Sequence, residues 1–262
     1  MERKIGEDNI NNLNIPLLKE NKLVYKGRFL SYFIKSFEIN DPNKNSTILK
    51  PYETIDYNSR CFNQSEIPNE FIGKNNYNIY AINIIPIIKY SQKPKKLIIV
   101  SVFRYPLNKF CLEFPAGFMD KKDIESSGED FPKAIKKAAL RELEEETGYK
   151  GNFICNTSKY FGKNNNLEEE LKAGGNIFFD PWKSSDNAIQ CIVEIDGDQA
   201  TNKKEQNLDD NEYIKVYEIE IKDLMNFIYE KMNKEHCGCT SELYNFALGL
   251  NFNNKINDIL HN

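Results

Sequence analysis

Residues Leu112–Gly151 read LEFPAGFMDKKDIESSGEDFPKAIKKAALRELEEETGYKG, and the fold turns on how this stretch is parsed. Phe110–Phe114 has the pattern of a short strand, Pro115-Ala116-Gly117 makes a tight turn, and Met119–Glu129 reads as a polar loop. Pro132–Thr147 predicts a helix. Pro132 suits a first helical position, Asp130 can cap it, and Gly148 supplies the stop. Within that helix Glu142, Glu145 and Glu146 stand at i, i+3 and i+4 and share one face, whereas Glu144 points elsewhere. Like charges so placed repel, at roughly 0.2–0.5 kcal/mol per pair. A bare run of glutamates is ordinarily a solvated helix face. This run begins with Arg141, ends in Thr-Gly-aromatic and follows a strand and a tight turn, so the face calls for a hard divalent cation such as Mg²⁺ with oxygen ligands.

Outward from this segment the chain alternates strand-like and helix-like stretches. Residues 1–20 read as a flexible arm. Asn21–Asn40 predicts one or two strands, Asp41–Ser46 a turn, and Thr47–Tyr57 a returning strand. Asn58–Asn78 reads as an inserted loop. Tyr80–Tyr90 and Lys96–Phe103 are rich in β-branched residues and predict a hairpin of core strands. Beyond the central helix, Phe153–Tyr160, Ala188–Ile195 and Tyr213–Ile219 read as strands, and Asp223–Met232 and Thr240–Leu250 as helices. Gly162–Asn176 and Asp196–Asn211 are polar insertions. The organisation expected is a small β-subdomain over 21–75, an α/β domain over 76–252 and a tail over 253–262.

Composition narrows the function. The 262 residues carry 35 Lys+Arg against 39 Asp+Glu, a net charge of −4, which argues against a general nucleic-acid binder. The strongest apolar runs, Ile79–Ile88 and Leu97–Phe103, are of strand length and predict no membrane span. No signal-peptide core follows the N-terminus, and six cysteines are scattered without a framework pattern, so a cytoplasmic protein with reduced thiols is expected. With only His236 and His261, histidine-based triads are disfavoured, and hydrolysis would run on carboxylates. His236-Cys237-Gly238-Cys239 lacks the second Cys/His pair that a structural zinc site needs.

The segment 117–149 resembles the Nudix hydrolases, whose signature is Gx5Ex7REUxEExGU with U a bulky apolar residue. Residues 141–149 match the second half at every specified position. In the first half Gly117 is present, but Lys133 stands eight before Arg141 where the family has Glu. The nearest acid considered, Glu129, lies about one helical turn further upstream, as if the loop after Gly117 were longer. Leu112–Gly117 with Arg104, Lys26-Gly27-Arg28-Phe29, Tyr52-Glu53, Asp180-Pro181 and Asn211-Glu212-Tyr213 are similar to the ADP-sugar pyrophosphatase branch.

The resemblance implies an α/β/α sandwich with a mixed sheet and a small N-terminal β-sheet. It implies Mg²⁺, or Mn²⁺ in its place, on Glu142, Glu145, Glu146 and the Ala116 carbonyl. Arg104 would stabilise phosphate charge, and Glu212 would orient or deprotonate the attacking water. Arg141 would pair with a glutamate and orient the metal face. Phe29 and Tyr52 would sandwich adenine, with Glu53 accepting a hydrogen bond from the base, in a homodimer built through the N-terminal sheet. The family usually has Trp at both stacking positions and Gly where Trp182 stands. The substrate implied is ADP-ribose, cleaved to AMP and ribose 5-phosphate. A UDP-sugar or another nucleoside diphosphate is the second reading, and a nucleotide-binding module without catalysis the third; the intact glutamate set argues against the last.

Overall fold

A computed structural model describes residues 16–27, 30–41, 46–57, 81–128, 130–156, 177–184, 186–199 and 205–260. The chain divides into two compact units, Met1–Arg60 with Phe178–Asp186, and Cys61–Ile177 with Asn187–Asn262.

In the first unit β1 (Leu17–Lys26), β2 (Leu30–Asp41) and β3 (Ser46–Tyr57) form an antiparallel sheet in the order β1-β2-β3. Asn21–Asn40 thus resolves into parts of two strands, and β1 begins at Leu17, inside the stretch read as a flexible arm. On β3 the outer edge is met by a distant segment: the Ile55 N–H donates to the Lys183 carbonyl at 3.1 Å, and Ile55 bridges Ser184. Many large apolar side chains, among them Leu23, Tyr25, Leu49 and Tyr52, stay exposed; among its described residues this unit has no helix.

In the second unit β4 (Ala81–Lys89) is an almost continuous isoleucine run, buried on both faces as a central strand requires. It pairs in parallel with β10 (Asn187–Asp196) along its whole length. Its other edge is shared: residues 81–83 pair with β7 (Ala116–Phe118), and Ile87 and Ile88 pair with β5 (Lys96–Arg104). Pro86 falls in the gap between those two partners, where its missing N–H leaves no ladder bond unmade. β6 (Lys109–Glu113) and β11 (Ile214–Glu220) both lie antiparallel to β5. β8 (Asn152–Asn156) extends the sheet beyond β10, and β12 (Gly238–Cys239) closes it in parallel beside β6. β9 (Ile177–Phe178) is where the chain crosses between the units.

Helices cover both faces. On one, α2 (Phe131–Thr147) buries Ala134, Ile135, Ala138, Ala139 and Leu143 against Ile82, Ile84, Ile98 and Val193. On the other, α3 (Leu224–Lys234) and α4 (Ser241–Leu260) bury Leu224, Ile228, Leu243 and Ala247 against Ile85, Leu97, Ile99 and Leu112. Adjacent residues of one strand serve opposite cores, as strand alternation demands. The expected α/β/α sandwich with a mixed sheet and a separate N-terminal β-sheet is what the chain forms.

Two expectations change. Within Met119–Glu129 lies a short helix, α1 (Lys121–Glu125), whose first turn is closed by the Asp120 N–H donating to Asp123 at 2.8 Å. One turn is too short for hydrophobic periodicity to register. The last helix runs ten residues past Leu250, through the stretch read as a tail. The 58–78 and 162–176 insertions lie outside the described residues.

Leu143 is fully buried at the centre of the α2 core. Leu143→Ala should lower unfolding free energy by about 2–5 kcal/mol in urea titrations, with the far-ultraviolet spectrum of the folded state retained.

Candidate active site

The site gathers at one end of α2. Asp130 caps this helix by accepting the Lys133 N–H at 3.1 Å, and Gly148 ends it in the left-handed region at φ 73°. Both caps are those read from the sequence. Along the last turns, Glu142 and Glu146 point into the protein with side chains mostly buried, Glu145 is more exposed, and Glu144 turns away to pair with Lys150 at 3.3 Å.

The connection after β6 and the start of β7 are fitted against these two carboxylates; Ala116 and Gly117, read from the sequence as part of a tight turn, are the first residues of that strand. The Pro115 carbonyl accepts the Ile84 N–H at 2.9 Å, and the Ala116 N–H donates to Glu146 Oε2 at 3.0 Å. Gly117 comes so close that a Cβ there would lie 2.0 Å from the Glu142 carboxyl carbon. A side chain at 117 would have to displace the Glu142 carboxylate, so what glycine supplies here is space and not a positive φ.

Arg141 ties the cluster together. It donates through Nη1 to Glu142 at 2.8 Å and Glu145 at 2.9 Å, and through Nη2 to the Phe118 carbonyl at 2.9 Å. Nη2 and Nε also reach the buried carboxylate of Asp123, at 2.9 and 3.3 Å. Asp123 was not among the residues singled out in the sequence, although the signal was there: it stands six after Gly117, the spacing of the Gx5E half of the signature. The extra residues fall between this acid and Arg141, not between Gly117 and the acid. Glu129, the acid considered instead, lies outside the described residues.

Glu113 is the second residue missed. Buried on β6, it accepts from Arg104 Nε at 2.7 Å and also from Nη2, a two-pronged pair that keeps Arg104 firmly charged. Strand register puts Arg104 and Glu113 on the α2 side of the sheet, where both charges are felt by Glu146.

Burial pushes the Glu142 carboxyl up to about 7 against the pull of Arg141, with Glu145 and Glu212 adding to the rise. Burial raises Glu146 well above the ordinary range, opposed by the Ala116 N–H and reinforced by Glu142, Glu212 and Glu113. Glu212 is held by its own loop: its carboxylate accepts the Asp209 N–H at 3.1 Å, and its N–H donates to the Asp209 carbonyl at 2.9 Å.

The structure therefore brings together Arg104, Ala116, Arg141, Glu142, Glu145, Glu146 and Glu212. Ala116 meets Glu146 through its N–H, a contact distinct from the carbonyl role expected of it. Tyr52 and Glu53 belong to the N-terminal unit and sit on opposite faces of its sheet. Tyr52 packs edge-on to Phe37 with ring centroids 5.8 Å apart, while Glu53 accepts from the Tyr32 hydroxyl. Phe29 lies outside the described residues. Trp182 is largely exposed and donates to Asp180 at 3.1 Å. Cys237 is buried beside Ser101 and Cys239 is on β12.

Among the described residues, no three His, Cys, Asp or Glu side chains stand together as a ready metal cage; Arg141 draws Glu142 and Glu145 to itself. The donor set nonetheless fits a hard divalent cation. It is all oxygen, and two carboxylates are buried side by side where burial disfavours their charge.

Comparison with known proteins gives the same class. The chain is 32% identical over 171 residues to an ADP-sugar pyrophosphatase of Mus musculus, covering 65% of this chain and 66% of that protein. An uncharacterised Nudix hydrolase of Schizosaccharomyces pombe is 32% identical over 174 residues, 66% of this chain and 71% of that one. An ADP-ribose pyrophosphatase of Saccharomyces cerevisiae is 34% identical over 143 residues, 54% of this chain and only 50% of its own length. No family model matches. The chain belongs to the Nudix hydrolase family.

The buried carboxyls make stability depend on pH. Folded Glu142 keeps its proton up to about 7, against an ordinary value of 4.5, so the folded chain binds more protons than the unfolded one. The contribution of this group declines as pH rises from about 4.5 towards 7. The melting temperature of metal-free protein should fall between pH 5 and 8, and added Mg²⁺ should restore more of it at pH 8 than at pH 5. A metal-free melting temperature that climbs over this range would count against the buried pair.

Proposed function

We propose that this protein hydrolyses the diphosphate bridge of a nucleoside-diphosphate sugar, with ADP-ribose, split into AMP and ribose 5-phosphate, as its substrate. The observation that carries the reading is the buried Glu142/Glu146 pair, seated against β7 where Gly117 leaves room for the Glu142 carboxylate, in a chain one-third identical to an ADP-sugar pyrophosphatase over two-thirds of its length.

In this reading Glu142, Glu145, Glu146 and the Ala116 carbonyl hold Mg²⁺ or Mn²⁺. When bound, the cation neutralises diphosphate charge and acidifies a coordinated water. Arg104, oriented by Glu113, binds phosphate oxygens through charge-assisted hydrogen bonds. Glu212 accepts the proton of the attacking water. Arg141, fastened by Asp123, fixes where the Glu142 and Glu145 carboxylates point. We assign stacking on adenine to Phe29 and Tyr52; Glu53, on the opposite face of the sheet and bonded by the Tyr32 hydroxyl, is left out of that slot. The protein is taken to be a cytoplasmic homodimer assembled through residues 22–57, a segment rich in exposed apolar side chains.

Two measurements test the reading. Glu142→Gln and Glu146→Gln each remove a ligand charge at constant shape and should lower turnover of ADP-ribose by at least about 100-fold with the fold intact. Wild-type rates in both variants at saturating Mg²⁺ would remove the glutamates from the mechanism. In a panel of nucleoside-diphosphate sugars, ADP-ribose should exceed UDP-glucose in kcat/KM by about ten-fold, because uracil offers an aromatic slot a smaller ring to stack on than adenine does. Equal values would transfer the assignment to a UDP-sugar.

A further inference from the structure

The segment before β11, Glu205–Glu212, has no helix or strand hydrogen bonds of its own, yet it is fastened at three points. At its start the Gln206 side-chain amide donates to two main-chain carbonyls, Glu146 O at 2.5 Å and Ile214 O at 3.3 Å. The next residue follows suit, with the Asn207 N–H donating to Glu145 O at 2.9 Å. In the middle Leu208 packs on Val100, Val102 and Ile214, a small apolar cluster separate from the two main cores. Towards its end the Tyr105 hydroxyl donates to Asn211 O at 3.3 Å, and the Tyr105 ring is itself braced edge-on by Phe103 at 5.3 Å.

The choice of anchors has a chemical meaning. Glu145 and Glu146 lie in the last turn of α2, where carbonyls have no partner further along the helix. Those two residues present carboxylates to the candidate cation face, and on their main-chain oxygens they carry the segment that ends in Glu212. The Glu212 charge in turn acts on Glu142 and Glu146. One turn of helix thus sets both the acidic face and the placement of the remote acid.

We propose that Gln206 is a positioning residue: by clamping the Glu205–Glu212 segment to the end of α2, it holds Glu212 over the acidic face. This rests on the assignment of Glu212 as proton acceptor in the preceding reading. Gln206 is solvent-exposed and its side chain fills no core, so its loss leaves the fold in place. What it contributes is the immobility of one carboxylate, and a misplaced base costs turnover more than binding.

The test is a double-mutant cycle on the full chain with ADP-ribose and Mg²⁺. Gln206→Ala should lower kcat about ten-fold and leave KM within about two-fold. Gln206→Glu, which keeps the length and removes the donor, should do the same. In a Glu212→Gln background the same Gln206→Ala change should alter kcat by less than about two-fold, because a residue acting through Glu212 has nothing left to position. Hydrogen exchange of the 207–212 amides should quicken in Gln206→Ala and stay unchanged in α2. Unaltered kcat in Gln206→Ala, or an equal loss in both backgrounds, would overturn the proposal while leaving the hydrolase reading intact. A wild-type rate in Glu212→Gln would remove Glu212 as base, and an inactive wild-type chain would remove the substrate reading itself.

Discussion

Arg141 has five N–H donors, and the five contacts it makes join three pieces of chain. Asp123 brings the short helix α1, the Phe118 carbonyl brings β7, and Glu142 with Glu145 are its own helix neighbours. α1 is five residues long and buries little besides Asp123 and Ile124, so it has scant cohesion of its own. It holds because its one buried carboxylate is committed to a guanidinium, and because the Ser126 and Ser127 hydroxyls close on the Asp123 carbonyl. Burial opposes the charge on Arg141, yet the surrounding acids hold it protonated. A neutral side chain at 141 would leave Asp123 buried and unpaired, the situation that penalises a folded protein most.

Around that hub the protein concentrates more negative charge than its cations offset. Glu113 is matched by Arg104 and Asp123 by Arg141, but among the described residues Glu146 has only a backbone amide. A single N–H recovers part of the desolvation of a buried carboxylate, and the remainder shows as the raised proton affinity of Glu142 and Glu146. The interior here is tuned to receive positive charge from outside. Sequence tolerance follows from it: a side chain at 117 competes with the Glu142 carboxylate for space, and at 116 proline alone would remove the amide that Glu146 accepts.

How far this was legible in the sequence depends on the physical origin of each element. The isoleucine runs of β4 and β5, the Asp130 and Gly148 caps of α2 and the i, i+3, i+4 acidic face are local patterns, and all stand where the residues indicated. Asp123 was hidden because its partner is eighteen positions away and counting back from Arg141 gave Lys133; counting forward from Gly117 gives Asp123 directly. The helical run beyond Leu250 escaped because Asn251–Asp258 is mostly polar and carries no continuous stripe. Tyr52 and Glu53 are neighbours in sequence and therefore opposites in a strand, a consequence of pleating that a motif match does not express. The anchoring of Gln206 on main-chain oxygens had no signal at all, since a carbonyl has no identity in a sequence.

The bond from Ile55 to Lys183 has a consequence in time. β3 is complete once Tyr57 has been made, but the segment that meets its outer edge arrives only with Ser184. At ribosomal rates of about 5–20 residues per second, that delay is on the order of ten seconds. Throughout it a nascent three-stranded sheet presents an open edge and uncovered apolar side chains to its surroundings, the arrangement most prone to pairing with a stranger. The N-terminal unit is encoded in two instalments, so the contact on its β3 edge can form only after residues 61–177 have been synthesised.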